Sequence, residues 1–475
     1  MNKKVLFIVP DGVGIRNYLY SNFVKELQKN NFEIQFYHKI SSSAIDEIEN
    51  TCEYSFKNNK ELSNLKETFF LRLYRESSAY ARLLYFSRVL ENESIKLFWG
   101  KKSKTIKLKL FYGLCELFGK IVATNYNWIR IFEKKYEKLI KNTGAYHNAI
   151  IDLKEFNPDF IINLHQRAPI TTPVILAAQE LKIKNSTVIF SWDNVPKGRL
   201  ICRSETYFVW SQLMKDQLCL LYKEIKPTAV FVVGSPQFEF YKREEFKLTK
   251  EDFFKQNNLN INKKTICFSG DDVMTSPFDQ FYLADLCESL ANFSAAEMPQ
   301  IIFRRCPVDF SDRFDKVLEK YKDLITVINP DWKVEKESDK NSFSLVYPAY
   351  NDLKLLVNTC LHSDLVINLG STMAHDFAVY DKPCLYLNYN PKEDKSWSVE
   401  KIYKYEHFKS MKNLDAVGWV NDKSEFYPLL KKVLENPNSI SKDRTLWLEK
   451  IVEHPIELNS CKLAEKIIEK CTSVL

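Results

Sequence analysis

The stretch at residues 365–372, LVINLGST, ends an apolar run in a single glycine, which two hydroxyl side chains follow. Gly370 lets the backbone turn sharply because it has no Cβ, and Ser371 or Thr372 can cap the helix predicted to follow. Amide hydrogens at such a turn attract an anion such as a diphosphate. Asp376, one helical turn later, suits the hydroxyls of a ribose. The pattern predicts a nucleotide site, and the alternative is an ordinary strand-to-helix turn.

A similar turn follows the first predicted strand of the second half, in the stretch FSGDDVMTSP. Here Gly270 precedes Asp271 and Asp272, whose charges would repel a bare phosphate. A metal-bridged diphosphate or a sugar hydroxyl is therefore the better ligand, with solvated turn residues as the alternative. The next predicted strand ends in Arg304 and Arg305, whose guanidinium groups suit phosphate oxygens. A surface salt bridge is the alternative for each arginine.

Polar side chains also follow three predicted strands of the first half. They are Asp11 and Arg16 in VPDGVGIRNY, His165 in INLHQR, and Trp192, Asp193 and Asn194 in FSWDNVPKG. The first stretch lacks the third glycine of the dinucleotide fingerprint, so it gives little support to NAD binding. A Trp-Asp-Asn cluster is costly to bury unless its polar groups have partners, which favours a functional role. A lone histidine is more often structural than catalytic.

Strands and helices alternate through both halves of the chain, which predicts an α/β protein with two parallel, doubly wound sheets. We predict an amino-terminal Rossmann-like domain over residues 1–240, with a helical insertion at about 45–157. A carboxyl-terminal Rossmann-like domain follows over 241–440, and the helices of 441–475 are expected to pack back on the first domain. The two domains are expected to face one cleft, because ligands of open α/β sheets bind at the strand ends.

The composition is that of a globular protein, with 475 residues of which 45% are hydrophobic and 27% charged. The length exceeds the roughly 250–300 residues at which single cores stop growing, so two domains are expected. Eleven cysteines without a C-x-x-C pair and seven histidines without ligand spacing predict neither a disulfide framework nor a metal site. The start, MNKKVLFIVPDGVG, is interpreted as a first strand and not as a signal peptide. A cytoplasmic location is therefore expected.

The net charge of +7 is concentrated in one stretch of the chain. Residues 101–141 hold 11 Lys and Arg against 3 Asp and Glu, which is +8, and they include seven aromatic residues. Basic and aromatic residues on helices suit an anionic membrane surface or a lipid-linked substrate. The alternative is a solvated helical hairpin whose aromatic side chains form a core. Nucleic acid is not an expected partner, because no recognised binding motif accompanies the charge.

Four stretches of the chain resemble bacterial GT-B glycosyltransferases of the surface-polysaccharide type. They are IRNYLYSNFVKEL, FSWDNVPKG, VVGSPQFEFY and HSDLVINLGSTMAHDFAVYDKPCLYL. The resemblance covers about residues 5–40 and 158–390, and it implies that the carboxyl-terminal domain binds a nucleotide-sugar donor while the amino-terminal domain holds the acceptor. The resemblance places Gly370, Ser371 and Thr372 near the diphosphate. It places Asp376 near the ribose or sugar, and Tyr350 near the base.

The expected function is transfer of a sugar from a nucleotide-sugar to a saccharide or lipid-linked acceptor in cell-surface glycan synthesis. A carboxylate would deprotonate the acceptor hydroxyl, and Asp11 and Asp193 are the candidate bases. The remaining donor-binding residues would be Gly270, Asp271, Arg304 and Arg305, and the acceptor-binding residues would be Arg16, His165, Trp192 and Asn194. Enzymes that this chain resembles often stabilise the leaving diphosphate without a metal, so no metal or cofactor is expected.

Two alternative functions are open. A UDP-sugar 2-epimerase shares the fold and would need acids and histidines but no acceptor platform. A non-catalytic sugar-binding or scaffold protein of an envelope assembly would keep the fold without the chemistry. The basic stretch at 101–141 would allow a peripheral position at the inner face of the membrane.

Overall fold

The computed structural model describes residues 3–56, 58–100, 105–334 and 346–472. The chain divides into two compact units. Unit 1 comprises Met1–Gln237, Tyr405–His407 and Ile451–Leu475, and unit 2 comprises Phe238–Lys404 and Phe408–Lys450. Each unit is built around its own parallel sheet with helices connecting the strands. The predicted pair of Rossmann-like α/β domains is therefore confirmed.

The strands and helices are numbered in chain order. The strands are β1 Lys3–Val9, β2 Phe32–His38, β3 Asn59–Glu61, β4 Phe160–Asn163, β5 Lys184–Val188, β6 Thr206–Val209, β7 Val230–Val232, β8 Thr265–Ser269, β9 Gln300–Arg304, β10 Ile325–Val327, β11 Trp332–Val334, β12 Val346–Pro348, β13 Leu365–Asn368, β14 Cys384–Leu387 and β15 Gly418–Val420. The helices are α1 Phe23–Lys29, α2 Ser42–Cys52, α3 Phe69–Val89, α4 Ile106–Val122, α5 Tyr126–Ile140, α6 Gly144–Phe156, α7 Thr172–Glu180, α8 Gln212–Leu221, α9 Lys250–Gln256, α10 Asp279–Leu290, α11 Asp315–Lys320, α12 Tyr350–His362, α13 Met373–Ala378, α14 Val399–Tyr403, α15 Phe426–Glu435, α16 Arg444–Ile451 and α17 Asn459–Thr472.

The sheet of unit 1 has seven parallel strands in the order β3-β2-β1-β4-β5-β6-β7. Its central strands are apolar runs that are buried along their length, as strands covered by helices on both faces must be. β1 pairs with β2 on one side and with β4 on the other, so the chain reverses its winding direction at β1. Ligands of doubly wound sheets bind beside such a switch point.

The insertion between β2 and β4 is confirmed as largely helical, with α2 to α6 inside it. The helices begin where polar side chains accept a backbone N–H: Thr68 caps α3, Asn125 caps α5 and Thr143 caps α6. One difference from the expectation is β3, which joins the sheet at its edge beside β2. Its three residues, NKE, have none of the apolar or β-branched side chains that indicate a strand. Only the backbone hydrogen bonds with β2 define it as one.

A buried ion network joins the insertion to the later part of unit 1. Arg82 of α3, only 1% exposed, donates to both carboxylate oxygens of Glu133 in α5, at 2.7 and 2.9 Å. Arg203, which precedes β6, donates to Glu133 at 2.8 Å and to Glu224 at 2.6 Å. Each arginine therefore has a carboxylate partner that the other arginine shares.

The sheet of unit 2 has six parallel strands in the order β10-β9-β8-β13-β14-β15. A separate antiparallel pair, β11 with β12, lies outside that sheet. The sequence predicted neither this pair nor β15, because each of the three strands has only three residues.

The last helix, α17, packs against α1 in unit 1. Two lysines of the sheet donate to carbonyl groups of its last turn: Lys3 Nζ to Cys471 O at 2.6 Å and Lys184 Nζ to Lys470 O at 2.7 Å. Both contacts place a cation at the negative end of the helix dipole. Across the described ranges, no helix combines the length and the apolar character that crossing a bilayer requires.

Candidate functional site

Asp11 and His165 meet at the carboxyl ends of β1 and β4, the two strands at the switch point of unit 1. His165 Nδ1 lies 2.7 Å from Asp11 Oδ2, and Asp11 Oδ1 accepts the backbone N–H of Val13 at 3.1 Å. The ring of Phe190 meets the imidazole edge-on at 4.8 Å, which fixes its plane. If Nδ1 carries the proton toward the carboxylate, Nε2 is left as a proton acceptor. From the sequence alone, Asp11 is expected to be a base and His165 an acceptor-binding residue. The sequence does not pair them, because they lie 154 positions apart in the chain.

Asp193 lies in a short turn after β5 and is held by neighbours on both oxygens. It forms an ion pair with Lys197, while Ser191 Oγ donates to Oδ1 at 2.6 Å and Asn194 Nδ2 donates at 3.0 Å. Burial raises the pKa of Asp193, but the charge of Lys197, a smaller contribution from His407 and the hydrogen bonds from Lys197 and Ser191 together outweigh it and hold the pKa below its usual range. A carboxylate stabilised in this way is a weak base. The assignment of Asp193 as a catalytic base stays a prediction, and this pKa argues against it.

Trp192 and Asn194 contact residues that sequence reasoning missed. The ring of Trp192 lies 4.8 Å from that of His407, and burial lowers the pKa of His407 to about 4, which keeps it neutral at pH 7. Asn194 Oδ1 accepts a hydrogen bond from Arg167 Nη1 at 3.1 Å. Arg167 stands two residues after His165, so its position at a strand end could have indicated it. His407 is distant in sequence, and no local signal marks it.

Arg16 is also engaged within unit 1. Its Nη2 donates to Gln237 Oε1 at 2.9 Å, and its Nε lies 3.4 Å from Asn17 Oδ1. Acceptor binding by Arg16 stays a prediction, as it does for His165, Trp192 and Asn194.

In unit 2, the turn after β13 is fixed by its own polar groups. Asn368 Oδ1 accepts the backbone N–H of Ser371 at 2.8 Å, and Ser371 Oγ accepts that of Met373 at 3.4 Å. Thr372 takes the N-cap position of α13, but its side chain does not cap the helix. Gly370 has φ +76°, and a Cβ there would lie 2.6 Å from Phe408 Cζ. The glycine is thus required by the backbone and by the Phe408 ring, and its contact with a diphosphate stays a prediction.

Substitution of Gly370 by alanine is expected to destabilise unit 2. The left-handed backbone costs an alanine roughly 1–2 kcal/mol, and overpacking against Phe408 adds a cost of similar size. The matched control is Gly113→Ala in α4, where a Cβ meets nothing within 4 Å and alanine favours the helix. Urea unfolding should show a clearly lower midpoint for Gly370→Ala alone. Equal midpoints for both variants would contradict the steric requirement at Gly370.

Asp271 follows Gly270 at the end of β8, in a cluster of charged groups. Its backbone N–H donates to Asp279 Oδ2 at 2.7 Å, and its carbonyl accepts from Arg313 Nη2 at 2.6 Å. Its Oδ2 is buried without a hydrogen-bond partner among the described residues. Burial raises the pKa of Asp271 well above its ordinary value, and the charges of Asp279 and Asp272 raise it further. Asp271 is therefore a carboxyl group suited to carrying a proton.

The two arginines after β9 have partners inside unit 2. Arg304 is 5% exposed, and its Nη2 donates to Asp352 Oδ1 at 2.7 Å. Arg305 Nη1 donates to Ser311 O at 2.5 Å, and its guanidinium lies 5.1 Å from the ring centre of Phe314. The Asp352 carboxylate offsets the charge of Arg304, which gives that residue a structural role. Leaving-group stabilisation by either arginine stays a prediction.

The remaining two donor-site predictions fall on α12 and α13. Tyr350 is the first residue of α12, and its ring lies 5.4 Å from that of Phe246. Asp376 is 9% exposed and close to Cys360 of α12, where its charge adds to the effect of burial in raising the pKa of the thiol. The resemblance implies a base-binding loop around the stretch LVYPAYNDL, which contains Tyr350, and its first residue, Leu345, lies outside the described residues. Contacts of Tyr350 and Asp376 with a nucleotide stay predictions.

The chain matches no family model and no curated protein in sequence. Solved structures match it over nearly its whole length. A protein from Listeria monocytogenes, provisionally assigned as a UDP-N-acetylglucosamine 2-epimerase, is 9% identical, with 100% of this chain and 98% of that chain covered and a TM-score of 0.57. The UDP-GlcNAc 2-epimerase of Neisseria meningitidis, solved with UDP-GlcNAc bound, is 13% identical. The match covers 98% of this chain and 100% of that chain, with a TM-score of 0.51. A glycosyltransferase from Rickettsia africae is 13% identical, with 100% of both chains covered and a TM-score of 0.50.

These comparisons contradict the expected glycosyl transfer. Several matching structures are UDP-N-acetylglucosamine 2-epimerases, including those from Methanocaldococcus jannaschii and Rickettsia bellii, so the epimerase alternative is the better supported of the two. At 9–13% identity the similarity shows the fold alone. The chain has a GT-B-like fold.

Proposed function

We propose that this chain is an enzyme that acts on a UDP-sugar and inverts the configuration at C2 of the sugar. The observation that carries the proposal is the match of the fold, over almost the whole chain, to UDP-N-acetylglucosamine 2-epimerases, one of which holds UDP-GlcNAc. The Asp11–His165 dyad supports it from the chain's own residues.

Inversion at C2 requires that the C2–H bond breaks on one face of the sugar and that a proton returns to the other face. The C2–H electron pair forms a C1=C2 bond as the C1–O bond to UDP breaks, and UDP rejoins C1 when a proton is returned to C2. Groups that accept and deliver protons are therefore needed. In unit 1, Asp11 holds the ring of His165 so that Nε2 can accept a proton, and the carboxylate stabilises the imidazolium that forms.

Binding of the nucleotide is assigned to the predicted donor residues at the ends of β8 and β13, within unit 2. Ser371 is the most testable of them, because Ser371→Ala removes a hydroxyl without the steric effect that any substitution at Gly370 brings. The UDP-sugar is the substrate, and the proposal includes no metal or organic cofactor.

The test is incubation of the purified full chain with UDP-GlcNAc in D2O, followed by proton NMR. We expect a second UDP-sugar with the 2-epimer configuration, and deuterium at C2 in both sugars, because the proton returned comes from groups that exchange with solvent. Turnover should persist in EDTA. Unchanged UDP-GlcNAc with no deuterium at C2, in a folded protein that is not stabilised by UDP, would contradict the proposal and favour a non-catalytic role.

A further inference from the structure

We propose that α4 and the amino end of α3 form a docking surface for an anionic phospholipid membrane. The surface is an apolar stripe along α4, which we call the α4 stripe: Ile106, Leu110, Leu117 and Ile121. These side chains are 76%, 71%, 56% and 51% exposed. Their spacing of three or four residues, with Gly113 between them, puts all four on one face of the helix.

The apolar surface continues onto α3. Phe69 and Phe70, at the amino end of that helix, are 54% and 62% exposed. The ring of Phe69 lies 5.6 Å from that of Phe111 in α4, so the two helices contact each other at this point. Exposed apolar side chains gathered in this number on one helix face are a feature of interaction sites.

The aromatic residues of the basic stretch do not form this surface. Of the seven, only Trp128 is exposed, and the others are buried or half-buried in contacts such as Phe132 with Tyr74 at 5.2 Å and Tyr126 with Tyr85 at 5.1 Å. Most aromatic side chains of the stretch therefore lie in packing contacts, while aliphatic side chains of α4 face outward. Residues 101–104 of the stretch lie outside the described residues.

Charge decides which partner fits the α4 stripe. At about 100° per residue, Lys109 and Lys120 flank one edge of the stripe and Lys107 flanks the other. The acidic residue of α4, Glu116, accepts a hydrogen bond from Trp99 Nε1 at 2.8 Å. An apolar face bordered by lysines on both edges is the arrangement of a helix that lies in the interface of an anionic bilayer.

A second copy of this chain fits the α4 stripe less well. A twofold interface presents the same patch from both partners, so the lysines at the edges of one stripe would meet those of the other. Like charges that face each other across an interface are unfavourable. The 17 residues of α4 instead suit a shallow surface contact, with the helix axis parallel to the membrane.

The test is sedimentation of the full chain with vesicles of phosphatidylglycerol mixed with phosphatidylcholine, against vesicles of phosphatidylcholine alone. We expect binding to the anionic vesicles that falls as salt screens the lysines. Leu110→Asp combined with Leu117→Asp should weaken that binding by more than about tenfold, because it removes the apolar contact and adds negative charge. Both side chains are exposed, so the thermal midpoint should stay near that of the wild type.

The matched control adds the same charge to exposed apolar residues elsewhere in unit 1, with Ile151→Asp in α6 and Leu220→Asp in α8. This control should keep vesicle binding. The proposal is overturned if the wild type does not bind, or if both double variants lose binding equally. It is also overturned if the α4 stripe variant splits a dimer while vesicle binding is absent. None of these readouts depends on turnover of a UDP-sugar.

Discussion

Removal of the His165 imidazole is expected to lower turnover of UDP-GlcNAc by roughly 10²- to 10⁴-fold, the usual contribution of a positioned acid or base. His165→Ala should show this loss in the rate of deuterium incorporation at C2 as well as in epimer formation, since both require the same proton transfer. The control is His147→Ala, which removes an exposed imidazole of α6 and should leave both rates unchanged. Wild-type rates in His165→Ala would contradict a role in proton transfer.

Asp11 acts through His165 and is a positioning residue, so its variant needs a more specific readout. Asp11→Asn keeps an oxygen that can accept the Val13 N–H, so the turn after β1 should stay folded. It removes the negative charge of the oxygen that lies 2.7 Å from His165 Nδ1 and orients the ring. We expect a lower kcat with little change in KM. A kcat that stays at the wild-type value would limit Asp11 to a structural role.

The fold could be predicted because the strands of both sheets are apolar runs, separated by segments whose apolar residues recur with the period of a helix. The positions of the chemically interesting residues followed from the same pattern, since parallel strands present their carboxyl ends at one edge of a sheet. Asp11, His165, Asp193, Gly270 and Gly370 were all singled out in this way, as residues that lie in the loop after a strand. Their partners were not found, because a partner is fixed by packing between elements far apart in sequence.

Gly370 and Arg304 are two residues whose distant neighbours the sequence did not indicate. Gly370 is predicted to form a phosphate turn, and the structure adds a steric requirement for the glycine from Phe408, 38 positions later in the chain. Arg304 is predicted to bind phosphate, and the structure adds an ion pair with Asp352, which also accepts from Trp332 Nε1 at 2.8 Å. Both ligand contacts stay predictions, and no local pattern indicates either neighbour.

The same limit applies to stability, where the largest expected effect is at Glu133. Glu133→Gln keeps the shape of the side chain but removes one of the two carboxylates that Arg82 and Arg203 share, so that Glu224 alone remains to pair with both. Breaking a buried ion pair completely costs about 3–5 kcal/mol, and because Glu224 still offsets part of the charge, we expect a loss toward the lower end of that range. Urea unfolding of the full chain should show this loss, while Glu26→Gln, which breaks the exposed pair with Lys29, should leave the midpoint almost unchanged.

The network also predicts how stability depends on pH. Burial raises the pKa of Glu133, but the charges of Arg203 and Arg82 outweigh it and hold the pKa far below its ordinary value of 4.5. A carboxyl group whose pKa is depressed by folding stabilises the fold above its unfolded pKa, and that stability is lost as the pH falls below it. The wild type should therefore lose stability as the pH falls below about 4.5, and Glu133→Gln should lose less over the same range. Parallel stability curves for the two proteins would contradict a contribution of the Glu133 charge to the stability of the fold.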